Sequence, residues 1–216
     1  MTQILIVEDD PMARKLFELF AKEHGDYHVV RALESAAMAE FYCLTNPIDL
    51  ILMDVCTAMH ANGLDYAVKI KKNFPDIKII IVTSQPECSF LDRARAAGVD
   101  SFWYKDSDAD SILSIMERTL AGESIYPDAT PVLRLGNALS PEFTDRELEV
   151  LREVTAVEPD AVIAEHLHMS VRTVKAHIQS MREKTGFRNR TELAVRARES
   201  GLIINDRRTD DESGES

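Results

Sequence analysis

Only three cysteines occur in the 216 residues, and Cys43, Cys56 and Cys88 are odd in number and lack ligand-like spacing. A disulfide framework or a thiolate metal site is therefore not expected, and the three read as reduced thiols packed like small apolar residues. Eight glycines and eight prolines are too few for a fibrous or low-complexity chain. No apolar run approaches the roughly 20 residues that span a bilayer. The start, MTQILIVEDD, has no basic flank and no cleavage site, so it does not read as a signal peptide. A cytoplasmic protein with no membrane partner is expected. No internal repeat is visible. What is present is 45% hydrophobic residues, enough chain for two ordinary domains each with its own core.

A net charge of −12 at first argues against a nucleic-acid partner, but the sign varies along the chain. Residues 1–121 hold 12 Lys+Arg against 19 Asp+Glu, whereas residues 144–204 hold 10 of each. Within the second group, 144–165 is acidic. Residues 170–198 carry Arg172, Lys175, Arg182, Lys184, Arg188, Arg190, Arg196 and Arg198 against only Glu183 and Glu192. Positive charge is thus gathered where a DNA surface needs it. The last residues, NDRRTDDESGES, are almost free of apolar side chains and are expected to be disordered.

The first 121 residues alternate β-rich runs (4–7, 28–30, 49–53, 77–83, 101–104) with amphipathic stretches near 12–24, 35–45, 64–73, 88–97 and 108–121. Pro11 suits a first helical turn, and Gly25, Gly98 and Gly122 follow helices as C-terminal caps often do. Strict alternation predicts an α/β domain, a parallel sheet with helices on both faces. Ligands of such sheets sit beyond the carboxyl ends of the strands. Glu8 and Asp9 follow the first strand there and Asp54 follows the third. If those strands are adjacent, the carboxylates meet and need a hard divalent cation such as Mg2+ among them. One carboxylate could then attack a phosphoryl group. Thr83, ending strand four, offers a hydroxyl, and Lys105, ending strand five, offers a positive charge for the phosphoryl oxygens.

IVEDDP, LMD at 52–54, Thr83-Ser84 and Trp-Tyr-Lys at 103–105 resemble the signature of two-component receiver domains over roughly residues 2–121. The resemblance implies a flavodoxin-like doubly wound sheet of five parallel strands, and phosphorylation of Asp54 by a sensor histidine kinase. It also implies that Glu8, Asp9, Asp54 and the backbone carbonyl of Cys56 hold Mg2+, that Thr83 and Lys105 contact the phosphoryl group, and that Phe102 is the switch aromatic. Two departures stand out. The run Asp54 to Gly63 has no Met-Pro pair and is one residue longer than usual, and Lys105 is followed by Asp106 rather than proline.

Residues 123–143 hold three prolines and a Gly-Asn pair and read as a linker with room for one short ordered piece. From Thr144 the pattern is helical. Thr144 and Glu147 form a capping box for a helix to about Val154. Pro159 and Asp160 open a second helix to His168, Ser170 caps a third to Thr185 before Gly186, and Thr191 caps a fourth to Ser200. The turn at His168–Ser170 between the second and third helices makes a helix-turn-helix. In the third, SVRTVKAHIQSMREKT, Val171, Val174, Ile178 and Met181 are expected to face the core. Arg172, Lys175, Gln179 and Arg182 lie on the other face, able to reach phosphates and base edges.

FTDRELEVLREV, IAEHL, SVRTVKAHIQSMREKTG and RNRTELAVRA resemble the LuxR-type four-helix domain of NarL/FixJ response regulators, over roughly residues 140–204. That resemblance implies groove contacts from Lys175, Ala176 and Gln179, phosphate contacts from Thr173 and Arg190, and dimerisation through the helix around Thr191–Ser200. The approach to the second helix lacks the usual basic residues, so a shallow salt dependence is expected.

The organisation expected is therefore a receiver at 1–122, a linker at 123–139, an all-α four-helix helix-turn-helix domain at 140–204 and a disordered acidic tail at 205–216. The function expected is a DNA-binding regulator, not an enzyme, acting as a homodimer on half-sites about 10 bp apart, with Phe102 turning inward when Asp54 is phosphorylated. Three rivals remain. A regulator that binds DNA without phosphorylation would explain the odd loop. A phosphatase using Asp54 would need a general acid, and only His60 and Asp65 are near in sequence. A signalling adaptor with a degenerate helix-turn-helix would be excluded by loss of DNA binding on changing Lys175.

Overall fold

A computed structural model describes residues 1–87, 89–105 and 111–203, with the backbone alone for His60. The expectations for Cys88, Asp106, the start of the fifth helix at 108, the His60 side chain and the tail at 205–216 lie outside the described residues. The chain forms two compact units, the first within 1–129 and the second centred on the residues from 130 onward.

In the first unit five strands alternate with helices: β1 (Thr2–Val7), α1 (Pro11–His24), β2 (Tyr27–Leu33), α2 (Ala39–Thr45), β3 (Leu50–Asp54), α3 (Gly63–Asn73), β4 (Lys78–Thr83), α4 (Phe90–Ala96), β5 (Ser101–Tyr104) and α5 (Ile112–Leu120). All strands are parallel, in the order β2-β1-β3-β4-β5. This is the doubly wound, flavodoxin-like arrangement anticipated from the sequence. Alternate strand residues, among them Ile4, Ile6, Leu50, Leu52, Ile80 and Val82, pack with Phe17, Ala21, Ile112, Ile115 and Met116 of α1 and α5. The intervening Leu5, Val7, Ile51, Met53, Ile79 and Ile81 are fully buried and face the opposite side, as the two-residue period requires. Both faces being covered explains why these strands are continuously apolar.

Helix starts follow local chemistry. Asp10, third in the acidic run after β1, caps α1 by accepting from the Ala13 N–H at 2.7 Å, with Pro11 in the first turn. Gly63 has a different reason. A Cβ there would lie 2.0 Å from the Asp54 carbonyl oxygen, so only glycine lets α3 start this close to β3. Of the cysteines, Cys43 is buried, which pushes its thiol up to about 11, while Cys56 is partly exposed rather than packed away.

The expected linker is shorter in the structure. Residues 124–126 extend the edge of β5: the Phe102 N–H donates to the Ile125 carbonyl at 2.8 Å and the Tyr126 hydroxyl to the Val99 carbonyl at 2.8 Å. At its other end, β6 (Arg134–Leu135) and β7 (Ala138–Leu139) form a hairpin. Leu135 and Ala138 are buried in the core of the second unit. Gly136 at the hairpin tip has φ +61°, and a Cβ there would lie 2.2 Å from the Thr185 carbonyl oxygen. The hairpin therefore seats on the end of the third helix of this unit.

That unit contains α6 (Asp145–Thr155), α7 (Asp160–His166), α8 (Val171–Thr185) and α9 (Arg190–Glu199). Leu148, Val150, Leu151, Val154, Ile163, Val174, Ile178, Met181, Leu193 and Ala197 share one core. The Thr144–Glu147 capping box forms, at 2.8 and 3.2 Å. Three details differ from expectation. Helix α7 ends at His166, and His168 takes φ +51° in the turn. Val171, first in α8, is exposed, because the apolar stripe is buried only from Val174 onward. Asn189, not Thr191, caps α9 by accepting from the Glu192 N–H at 2.9 Å. Asn is a stronger cap than Thr, and here it has Glu at the third helical position.

Candidate functional site: an acidic pocket and an exposed helix

The strand order reverses between β1 and β3, and ligands of such sheets bind beyond the carboxyl ends at that point. The two strands are hydrogen-bonded neighbours, which brings the Glu8–Asp9 turn beside Asp54. Glu8, Asp9 and Asp54 each bring a carboxylate oxygen to within 4.8 Å of the others. Glu8 and Asp54 are buried and Asp9 is exposed. Lys105, just past β5, places Nζ 2.6 Å from Glu8 Oε2 and 3.0 Å from Asp54 Oδ2. The Val55 N–H donates to Asp54 Oδ1 at 2.7 Å. Thr83 ends β4 fully buried, and its carbonyl accepts from the Lys105 N–H at 2.9 Å. The five residues named from strand ends therefore lie at one sheet edge.

Charge in this pocket is incompletely balanced. Burial, then the neighbouring Asp54, pushes the Glu8 carboxyl up to about 7 despite Lys105. Burial also raises Asp54, against the pull of Lys105 and the Val55 N–H. Lys105 is raised because Asp54 and Glu8 outweigh its own desolvation. Three carboxylates against one ammonium, with oxygen donors throughout, fit a hard divalent cation.

After Asp54 the chain makes a small closed loop. Cys56 and Thr57 pair antiparallel with Asn62 and Ala61, and Met59 at the tip has φ +60°. Phe102 is already buried, edge-on to Tyr104 with ring centroids 5.0 Å apart.

In the second unit α8 presents Arg172, Thr173, Lys175, Ala176 and Gln179 to solvent. Ser170 caps the helix, accepting from the Thr173 N–H at 3.0 Å. Gln179 is held by Glu183 at 2.7 Å. Three further cations of the basic segment are engaged within the unit. Arg182 bonds the Arg188 carbonyl and Gln179, and Lys184 reaches Glu147 at 2.6 Å. Arg190 bonds the Glu158 carbonyl and lies 3.1 Å from Asp160. Sequence periodicity puts Arg182 on the exposed face of α8 but carries no sign of its partners. No helix among the described residues is long and apolar enough to cross a membrane.

A doubly wound sheet with carboxylates and a lysine at its switch point, joined to a helix-turn-helix unit, defines a receiver coupled to a DNA-binding module. Comparison with known families agrees: residues 4–117 match the response regulator receiver domain and residues 141–197 match the bacterial regulatory proteins of the luxR family. The chain belongs to the response regulators with a LuxR-family DNA-binding domain and is a two-component transcriptional regulator. Among similar proteins, the response regulator protein VraR of Staphylococcus aureus is 29% identical over 209 residues, covering 93% of this chain and 98% of the relative. RcsB from Salmonella enterica serovar Typhimurium, bound to promoter P1flhDC, shares the fold with a TM-score of 0.61 at 17% identity, covering 94% of this chain and 99% of that one. A LuxR-family response regulator from Aurantimonas sp. SI85-9A1 is 26% identical with a TM-score of 0.53, covering 61% of this chain and 91% of that one.

Proposed function

We propose that Asp54 is the phosphoacceptor, that a sensor histidine kinase is its donor, and that the phosphoryl group controls how the protein binds DNA as a homodimer in the cytoplasm. It acts as a regulator and not as an enzyme on a separate substrate. The observation that carries this reading is the meeting of Glu8, Asp9 and Lys105 on Asp54 at one sheet edge.

The chemistry is a displacement at phosphorus. A carboxylate oxygen of Asp54 forms the new P–O bond. The bond from phosphorus to the donor's imidazole nitrogen breaks, and its electron pair leaves with the donor. Lys105 exchanges carboxylate partners for phosphoryl oxygens, and the Thr83 hydroxyl donates to another. Glu8, Asp9, Asp54 and the Cys56 carbonyl would hold Mg2+, which when bound supplies the charge that lets carboxylate and phosphoryl group approach. The phosphoryl group adds about −1.5 to −2 charges, and Thr83, Lys105 and the packing of Phe102 communicate its presence.

For DNA, the exposed Arg172, Lys175, Ala176 and Gln179 are the groove-facing set, with Thr173 on phosphate. Arg182 and Arg190 join them by exchanging their internal partners for phosphates. Duplexes selected from a random library, titrated by fluorescence anisotropy with and without acetyl phosphate and Mg2+, test the whole reading. Tighter binding on phosphorylation of the wild type, absent in Asp54→Ala, is expected. Equal affinity in all four conditions would remove phosphate control.

A further inference from the structure

The two sides of the acidic pocket belong to different segments, the Glu8–Asp9 turn and the loop after Asp54. Both are tied to a third, the Glu34–Ala36 turn that follows β2. From the acidic side, the Arg14 guanidinium donates to the Glu8 carbonyl at 2.7 Å, the Asp9 carbonyl at 3.2 Å and the Glu34 carboxylate at 3.0 Å. From the loop side, the Ala58 N–H donates to the Glu34 carbonyl at 2.9 Å. Thr57 Oγ1 accepts from the Ala36 N–H at 3.0 Å and donates to the Ala61 carbonyl at 2.6 Å. Thr57 is 5% exposed and the Arg14 side chain 18%.

We propose that Arg14 and Thr57 are positioning residues that preset the divalent-ion site, holding the Glu8–Asp9 turn and the Cys56 backbone against the common Glu34–Ala36 turn. The inference rests on the metal reading above. A planar guanidinium spanning two successive carbonyls and a carboxylate fixes the angle of the acidic turn. A buried hydroxyl that both donates and accepts fixes the loop, since losing it leaves an N–H and a carbonyl unpaired. Oxygen cages for small divalent ions tolerate little positional error. This loop has no proline, so the hydrogen bonds supply the rigidity its backbone lacks.

Mn2+ is the probe, with the free ion counted by electron paramagnetic resonance against the full chain at fixed pH. Thr57→Val keeps the volume and removes both hydrogen bonds, Thr57→Ser keeps them, and Arg14→Met removes the fork. We expect Mn2+ affinity about tenfold weaker in Thr57→Val and Arg14→Met, near wild type in Thr57→Ser, and less than multiplicative loss in the double variant, because both act through one turn. Thermal unfolding without metal is the structural control; should Thr57→Val fail to fold, Arg14→Met carries the test alone. Unchanged Mn2+ affinity in a folded Arg14→Met overturns the bracing. Absence of Mn2+ binding in the wild type overturns the metal reading itself.

Discussion

Gly63 lies against the Asp54 carbonyl so closely that a Cβ would stand 2.0 Å from that oxygen and 2.9 Å from the Met53 side chain. Its N–H also donates to the Val55 carbonyl at 2.8 Å. The start of α3 and the end of β3 are thus one packed unit. Gly63→Ala is expected to cost about 1–3 kcal/mol through overpacking, and to lower the rate of phosphorylation by acetyl phosphate more than a stability loss explains, because the backbone that must yield carries Asp54. Thermal unfolding and phosphorylation rate, measured on one preparation, check both.

Lys175 is exposed on α8 with no ion pair among the described residues. Lys175→Ala is expected to cost about 1–3 kcal/mol on a selected duplex if it reads a base edge. If it touches phosphate alone, all sequences weaken together and the salt slope falls by about one. Anisotropy titrations at several salt concentrations distinguish the two.

Arg190 is held by Asp160 at 3.1 Å and by the Glu158 carbonyl. A phosphate must compete with that carboxylate. Asp160→Asn is expected to tighten binding to any duplex, with the gain largest at low salt and a steeper salt dependence. Identical salt slopes in variant and wild type would show that Arg190 stays off the DNA.

Glu147 joins α6 to α8. Burial favours its neutral form, but the Lys184 ammonium, the Thr144 N–H and Ser180 outweigh it and bring its carboxyl down to about 2. A carboxyl depressed in the folded state stabilises above its unfolded value near 4.5, and that contribution is lost as pH falls toward about 2. Glu147→Gln is expected to lose about 1–2 kcal/mol at pH 7, with the deficit shrinking below pH 4.5. Hydrogen exchange of α6 and α8 amides in the full chain measures it.

The features legible in the sequence are those with a local signature. Five apolar runs, the first and third followed by acids, the Thr144–Glu147 box, and Ser170 with Gly186 around α8 each announce themselves within a few residues. Arg14 and Thr57 do not, since their partners lie at Glu34 and Ala36 and no periodicity marks them. Leu135 and Ala138 fall in a stretch with the composition of a linker, because two-residue strands are too short for an alternating pattern. Val171 fits the apolar spacing of α8, but only packing tells that burial begins at Val174. Lys184 adds to the positive charge of the basic segment, but its bond to Glu147 ties it to α6.

The central claim is that Asp54 accepts a phosphoryl group in the pocket it shares with Glu8, Asp9 and Lys105. Intact mass after incubation with acetyl phosphate and Mg2+, on wild type and Asp54→Ala, tests it most directly. The account predicts one added phosphoryl group in the wild type and none in Asp54→Ala. No addition to either protein, or equal addition to both, would contradict it.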